Sequence, residues 1–161
     1  MAKNPLLVTD KLGALMKCLS TMSTGSVYVG VPNVKAGRKD DGEMNNATLA
    51  YIHQNGSPAQ NIPARPFMTN GMRDCQGAVA KELSGAVRAG VSGDERGKRQ
   101  YLGRAGMTAQ NAIRGALTEG EGFEPLADST IASRQARGRT GTRPLIDTGQ
   151  LRQSITYVIE D

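Results

Sequence analysis

Few side chains in this 161-residue chain have both the type and the company that chemistry requires. His53 is the one histidine. A metal site would need it to share an ion with cysteines, carboxylates or further histidines at ligand spacing, and no such set stands beside it. General-base catalysis by a lone imidazole is disfavoured on the same ground. Cys18 and Cys75 are the two cysteines. Their spacing fits neither a metal site nor a disulfide framework, which points to a reducing compartment. Cys18 reads as a small core residue rather than a nucleophile. Asp147 beside Thr148 could be imagined as a catalytic pair, but helix capping explains both with fewer assumptions. No glycine-rich loop runs into lysine and serine or threonine, and no Gly-x-Ser-x-Gly turn occurs. The chain is therefore expected not to be an enzyme, with no metal and no cofactor.

The charged side chains offer contact chemistry instead. Arg134, Arg137, Arg139 and Arg143 fall within residues 134–143, with Gly138 and Gly141 and no acid. Guanidinium matches phosphate with paired donors, so DNA contact is one reading. The other reading is an arm, extended and mobile in the lone subunit, that orders against an acidic neighbour. The arm is preferred, because no stacking aromatics accompany the arginines. A second charged stretch, residues 33–46, carries Lys35, Arg38, Lys39, Asp40, Asp41 and Glu43 with little to bury. Gly37-Arg38-Lys39 could touch phosphate, but a solvated loop tip is the simpler expectation. One stretch mixes acids with bases and the other has arginines alone, so opposite charges could set register between subunits. Arg38, Lys39, Asp40, Asp41 and Glu43 are thus candidate subunit-interface residues. Arg134, Arg137, Arg139 and Arg143 are candidates for contact with a neighbour or with DNA in a channel.

The whole chain bounds these options. A net charge of +5 and a pI near 9.5 permit contact with nucleic acid or an acidic protein surface without demanding either. Length fits one domain over residues 1–161. Aromatics make up 4% and tryptophan is absent, so the core must be largely aliphatic. No apolar run approaches the roughly 20 residues that span a bilayer. The N-terminus lacks an apolar signal core, and a soluble protein made inside the cell is expected.

Hydrophobic spacing predicts an α+β fold: a small antiparallel or mixed sheet of N- and C-terminal strands, packed with two long helices and shorter ones. Thr9 caps a first helix with Leu12, Leu15, Met16 and Leu19 on one face. Val27, Val29 and Val31 alternate as a strand ended by Pro32. A short helix follows from about Asn46, capped by Asn45 or Asn46, to Asn55. Gly56 suits its left-handed C-cap, and Ile62 and Arg65, each before a proline, are pushed extended. That stiff crossing delivers Phe67 to a core edge. A long helix starts near Thr69 or Asn70 and reaches about Gly90, with Met68, Met72, Cys75, Val79, Leu83 and Val87 as its apolar stripe. Asp94 caps a second one running to Thr118 on Leu102, Ala105, Ala109, Ile113, Ala116 and Leu117, antiparallel to the first. A short helix spans about Ser129 to Gln135, with Asp128 or Ser129 as cap. Thr148 caps another helical turn, in which Leu151 and Ile155 share a face. A final strand follows, with Ile155, Tyr157 and Ile159 on one side, and it is expected to pair with the first.

Several blocks in this order carry a family resemblance. Val-Gly-Val at 29–31 precedes Leu-Ala-Tyr-Ile-His-Gln-Asn-Gly at 49–56 and Ile-Pro-Ala-Arg-Pro-Phe at 62–67. Asp-Ser-Thr-Ile-Ala at 128–132 then precedes Pro-Leu-Ile-Asp-Thr-Gly-Gln-Leu-Arg-Gln-Ser-Ile at 144–155. Together they resemble the tail-completion and neck proteins of tailed bacteriophages, also labelled virion morphogenesis proteins, over roughly residues 27–159. The motif positions are Gly56, Ile62, Pro63, Arg65, Pro66, Phe67, Pro144, Leu145, Asp147, Thr148, Gly149 and Leu151. The family pattern has an acid and an aromatic before the glycine, where this chain has Gln54 and Asn55. The resemblance implies a structural subunit of the virion neck, assembled in the host cytoplasm. It implies a homo-oligomeric, commonly sixfold ring around the DNA channel, between head-completion and tail-tube neighbours. Nonspecific contact with genomic DNA would be possible there, and no membrane would be involved.

Overall fold

The computed structural model describes residues 13, 16, 25–38, 44–120 and 122–160. The expected first helix, from its Thr9 cap through Leu19, falls outside the described residues apart from Gly13 and Met16. Lys39, Asp40, Asp41 and Glu43 also fall outside them, so their interface role is untouched by the structure.

The elements run β1 (Ser26–Gly30), α1 (Asn46–Asn55), α2 (Phe67–Val91), α3 (Glu95–Glu119), α4 (Asp128–Ala136), α5 (Gln150–Ser154) and β2 (Thr156–Glu160). Short 3-10 turns cover Asn33–Lys35 and Pro58–Gln60. The fold is α+β, and the two terminal strands pair as expected. They are antiparallel, with Ser26 opposite Glu160, Tyr28 opposite Val158 and Gly30 opposite Thr156. Among the described residues no helix is long and apolar enough to cross a membrane.

The long helices form the frame. Gly71 of α2 lies on the backbone of Ile113, and Gly85 lies on Tyr101, so α2 and α3 run antiparallel. A Cβ on Gly71 would sit 2.6 Å from the Ile113 Cα, closer than any side chain tolerates. Glycine and alanine therefore make the hairpin by letting the two backbones approach. The buried positions of α2 are Phe67, Gly71, Cys75, Gly85, Ala86, Ala89 and Gly90. This corrects the expected stripe: Met72, Leu83 and Val87 are exposed, because the face towards α3 is chosen by size rather than by hydrophobicity. The α3 stripe is found as expected, with Leu102, Ala105, Ala109, Ile113 and Leu117 all buried. Asp94 caps α3, accepting from Gly97 N–H at 2.8 Å.

The sheet packs on the other side of α3. Gly106 receives the Tyr157 ring and the Val27 methyls so closely that a Cβ there would meet the ring at 2.5 Å. Alternation along β2 turns Tyr157 and Ile159 towards α3, as the period-2 pattern requires. Arg114 ties α3 to the chain end by donating from Nη2 to Ile155 O at 2.6 Å and from Nε to the same oxygen at 3.1 Å.

The main core gathers Ala50, Phe67, Ile113, Leu117, Leu145, Leu151 and Ile155. Phe67, delivered to the core by the crossing, is fully buried in this cluster. It also begins α2, two residues ahead of the expected Thr69. That early start is possible because Gln54 caps the helix from outside: its Oε1 accepts from Met68 N–H at 3.0 Å, and its Nε2 donates to Thr69 Oγ1 at 2.6 Å.

Candidate functional site

A cleft of about 920 Å3 opens between α1, the 57–66 crossing, the 122–127 loop, α4 and the segment leading into α5. Pro58, Pro63, Pro125, Leu126 and Leu151 give it apolar walls. Arg38, Arg65, Arg134 and Arg137 line it together with Glu124, Asp128 and Asp147. Motif positions that lie far apart in sequence, Ile62, Pro63, Arg65, Leu145, Asp147, Thr148, Gly149 and Leu151, meet here.

The crossing is set by local chemistry. Gly56 ends α1 at φ 75° and ψ 174°, a positive-φ extended conformation rather than the left-handed helical one expected. A Cβ there would lie 2.9 Å from Ala64 N, so glycine is required on two counts. Ser57 and Ile62 bridge the turn. Past it, Arg65 donates its main-chain N–H to His53 O at 2.7 Å, holding the crossing against α1.

Two buried arginines hold the cleft walls. Arg65, 5% exposed, donates from Nε and Nη2 to Glu124 O at 3.1 and 3.0 Å, and from Nη2 to Pro125 O at 3.3 Å. The guanidinium thereby bridges the crossing to a loop almost sixty residues later. Arg134, 8% exposed, directs Nη1 to the carbonyls of Gly141, Arg143 and Ile146 at 2.9, 3.0 and 2.9 Å. Its Nε stands 3.9 Å from Asp147 Oδ1.

This overturns part of the reading of residues 134–143. Arg134 and the next two residues end α4, and Arg134 folds the segment back on itself instead of leaving an extended arm. The physical reason is that a buried guanidinium needs acceptors, and the returning loop offers three carbonyls to its Nη1. Arg139 Nη1 binds Asp147 Oδ2, and Arg137 is held to Ser133 by Nε to O at 3.1 Å and Nη2 to Oγ at 2.6 Å. Arg143 has an exposed side chain and contributes its carbonyl. The loop encloses Leu145, a core residue at φ 64°, a backbone conformation that costs a non-glycine residue about 1–2 kcal/mol. Arg134 grips the carbonyls on both sides of it.

The caps next to the cleft also differ from expectation. α4 starts at Asp128 behind Ala127, with no side-chain cap. α5 starts at Gln150 behind Gly149, which has φ 75°. Thr148 Oγ1 is 3.5 Å from Gln150 N, at the limit of a hydrogen bond, so Thr148 is at most a weak cap. At the other charged stretch, Ala36 and Asn46 are buried. Asn46 Nδ2 donates to Gly37 O at 3.1 Å and Lys35 O at 3.4 Å, while Arg38 Nη1 reaches its Oδ1 at 3.4 Å. Residues 33–38 are therefore anchored to α1, not a free tip, and the cap is Asn45, accepting from Thr48 N–H at 2.8 Å.

His53 lies in the cleft wall, and burial, followed by the charges of Arg65 and Arg134, lowers its pKa to about 4. It is a neutral imidazole at physiological pH. Its Nδ1 is buried without a hydrogen-bond partner. Burial similarly raises the pKa of the Cys75 thiol, in keeping with an unreactive core cysteine. Among the described residues no three histidine, cysteine or carboxylate side chains cluster as metal ligands.

Sequence reasoning missed the structural use of Arg65, Arg114 and Arg134. Arg65 alone had a visible signal, an arginine locked between Ala64 and Pro66 in a crossing too stiff to wave it in solvent. Compared with protein-family models, with curated proteins and with solved structures, the chain matches none.

Proposed function

We propose that this protein is a structural subunit of the neck of a tailed bacteriophage, a tail-completion or terminator-like component that joins tail to head around the DNA channel. The reading rests on the ordered motif blocks and on one observation about them. The 49–56 and 62–67 blocks, joined by a short turn, and the 144–155 block, which lies beyond both long helices, all line one cleft; Arg65 of the second block holds the carbonyls of Glu124 and Pro125, and Arg134 holds Ile146 O of the third. Motifs kept in order but distant in sequence gain a common purpose when they build one wall.

The subunit works by oligomerising, in a ring that the resemblance puts at sixfold. It packs between head-completion and tail-tube neighbours in the virion. Of the four arginines in 134–143, Arg137 and Arg143 are the exposed ones offered to a neighbour or to DNA, since Arg134 is held by main-chain carbonyls and Arg139 by Asp147. DNA contact is nonspecific and secondary. Arg38 and the charged residues that follow it supply the opposing side of the subunit boundary. The test is complementation of a phage deleted for this protein, with joined particles counted by electron microscopy. Charge reversal at Asp40, Asp41 and Glu43 is expected to give finished tails that fail to join heads. Normal joining after deletion of the whole protein would overturn the assignment.

A further inference from the structure

His53 is held in a state that the protein alone leaves unfinished. Its Nδ1 is buried with no partner, and its ring lines the cleft, so Nε2 is the nitrogen that an occupant can reach. The two charges that act on the ring are both guanidiniums, Arg65 and Arg134. Both guanidiniums bind main-chain carbonyls and place a positive field at the ring, and Arg38 and Arg137 line the same cleft. An anionic oxygen at Nε2 would gain both the field and an N–H donor.

The surroundings narrow what carries that oxygen. Pro58, Pro63, Pro125, Leu126 and Leu151 give the walls apolar stretches between the charged side chains, which suits an anion that comes with apolar neighbours. Glu124, Asp128 and Asp147 line the same cleft and offset most of the charge of Arg38, Arg65, Arg134 and Arg137, which suits a single negative charge better than a polyanionic nucleic-acid strand. A single carboxylate between apolar side chains meets each condition. A cavity of about 920 Å3 has room for a short stretch of polypeptide.

We propose that the His53 cleft is a docking site for a partner polypeptide, which inserts one Asp or Glu carboxylate, flanked by apolar residues, against His53 Nε2. The site needs only the single subunit and stands whether or not the chain forms a ring.

The full-length protein has one histidine, so its ring gives one assignable NMR signal. The probe is the blocked peptide acetyl-Leu-Glu-Pro-Leu-amide. Saturating peptide is expected to shift that signal and to raise the proton affinity of His53 about tenfold or more, as an opposite charge in contact does. The glutamine analogue should bind at least about tenfold weaker, and a short DNA duplex should leave the signal in place. In calorimetry His53→Leu should bind the peptide about tenfold weaker at unchanged cooperativity of unfolding. Asp128→Asn, which removes a repelling charge, should bind it more tightly at low salt. If His53→Leu does not fold, the wild-type NMR titration and Asp128→Asn decide. A signal that does not move, equal responses to the acidic and glutamine peptides, or a response to DNA alone would each overturn the proposal.

Discussion

Between α2 and α3, glycine and alanine let two helices meet; around the cleft, guanidiniums reach across gaps to main-chain carbonyls. The hairpin is held by contact of small surfaces, at Gly71 on Ile113 and Gly85 on Tyr101. The cleft is held at points, by Arg65 on Glu124 and Pro125 and by Arg134 on the 141–146 turn. The first arrangement repeats with the helix and tolerates few changes of size. The second ties irregular, largely exposed chain together by giving two buried guanidiniums their carbonyl partners. One region is a frame, and the other is a recess whose shape depends on a few donors.

The most severe break of that contrast is Arg65→Met. The substitution keeps length and apolar volume but removes the charged donors to the carbonyls of Glu124 and Pro125. Loss of these charge-assisted hydrogen bonds should cost about 3 kcal/mol, read from the denaturant midpoint. Hydrogen exchange should rise in residues 57–66 and 122–127 while α3 amides stay protected. Equal loss of protection in α3 would mean that frame and recess are one cooperative unit.

The same contrast explains what the sequence disclosed. β1, β2 and α3 repeat with period 2 or 3.6 and turn their apolar positions inward, fully buried in α3 and half-buried in the strands, so spacing places them. In α2 the period was legible but its face was not, since Gly71, Gly85 and Ala86 carry no hydrophobic signal while exposed Leu83 and Val87 do. The cleft has no period at all. Arg134 sits among Arg137, Arg139 and Arg143 and has their composition, yet it alone is buried. Only the path of the 137–146 chain, which returns three carbonyls to one guanidinium nitrogen, separates it from them. Asp147 was visible as a motif residue, but its partner Arg139 was not, because ion pairing across a turn leaves no spacing rule.

Acid should distinguish the two regions next. The folded pKa of His53, about 4, lies below the ordinary value of 6.5 that the unfolded chain keeps. Between these values the unfolded state binds the extra proton, so stability is full above pH 6.5 and falls as pH drops towards 4. From pH 8 to pH 5 this group should remove about 2 kcal/mol. Denaturant unfolding across this range should show the loss in the wild type and lose most of it in His53→Gln. An unchanged slope in His53→Gln would mean that the ring is not desolvated by the cleft.

The finest comparison is between two helix starts, one in each region. Asp94 precedes α3 with its carboxylate 2.8 Å from Gly97 N–H, and Glu95 follows in the first turn. An anion there meets both an orphan donor and the positive end of the helix dipole. Thr148 is one residue too early for α5: Gly149 occupies the cap position at positive φ, and the threonine oxygen is 3.5 Å from Gln150 N. Asp94→Ala should therefore cost about 1 kcal/mol, and Thr148→Ala no more than about 0.5 kcal/mol. Both are measured by denaturant unfolding at pH 8, where His53 is neutral in either state. If Thr148→Ala proves as costly as Asp94→Ala, the Thr148 oxygen closes on the helix in solution, and the recess is then capped as tightly as the frame. If it costs nothing yet abolishes head–tail joining, Thr148 faces a neighbour from the cleft wall. That outcome would tie the recess, rather than the hairpin, to assembly.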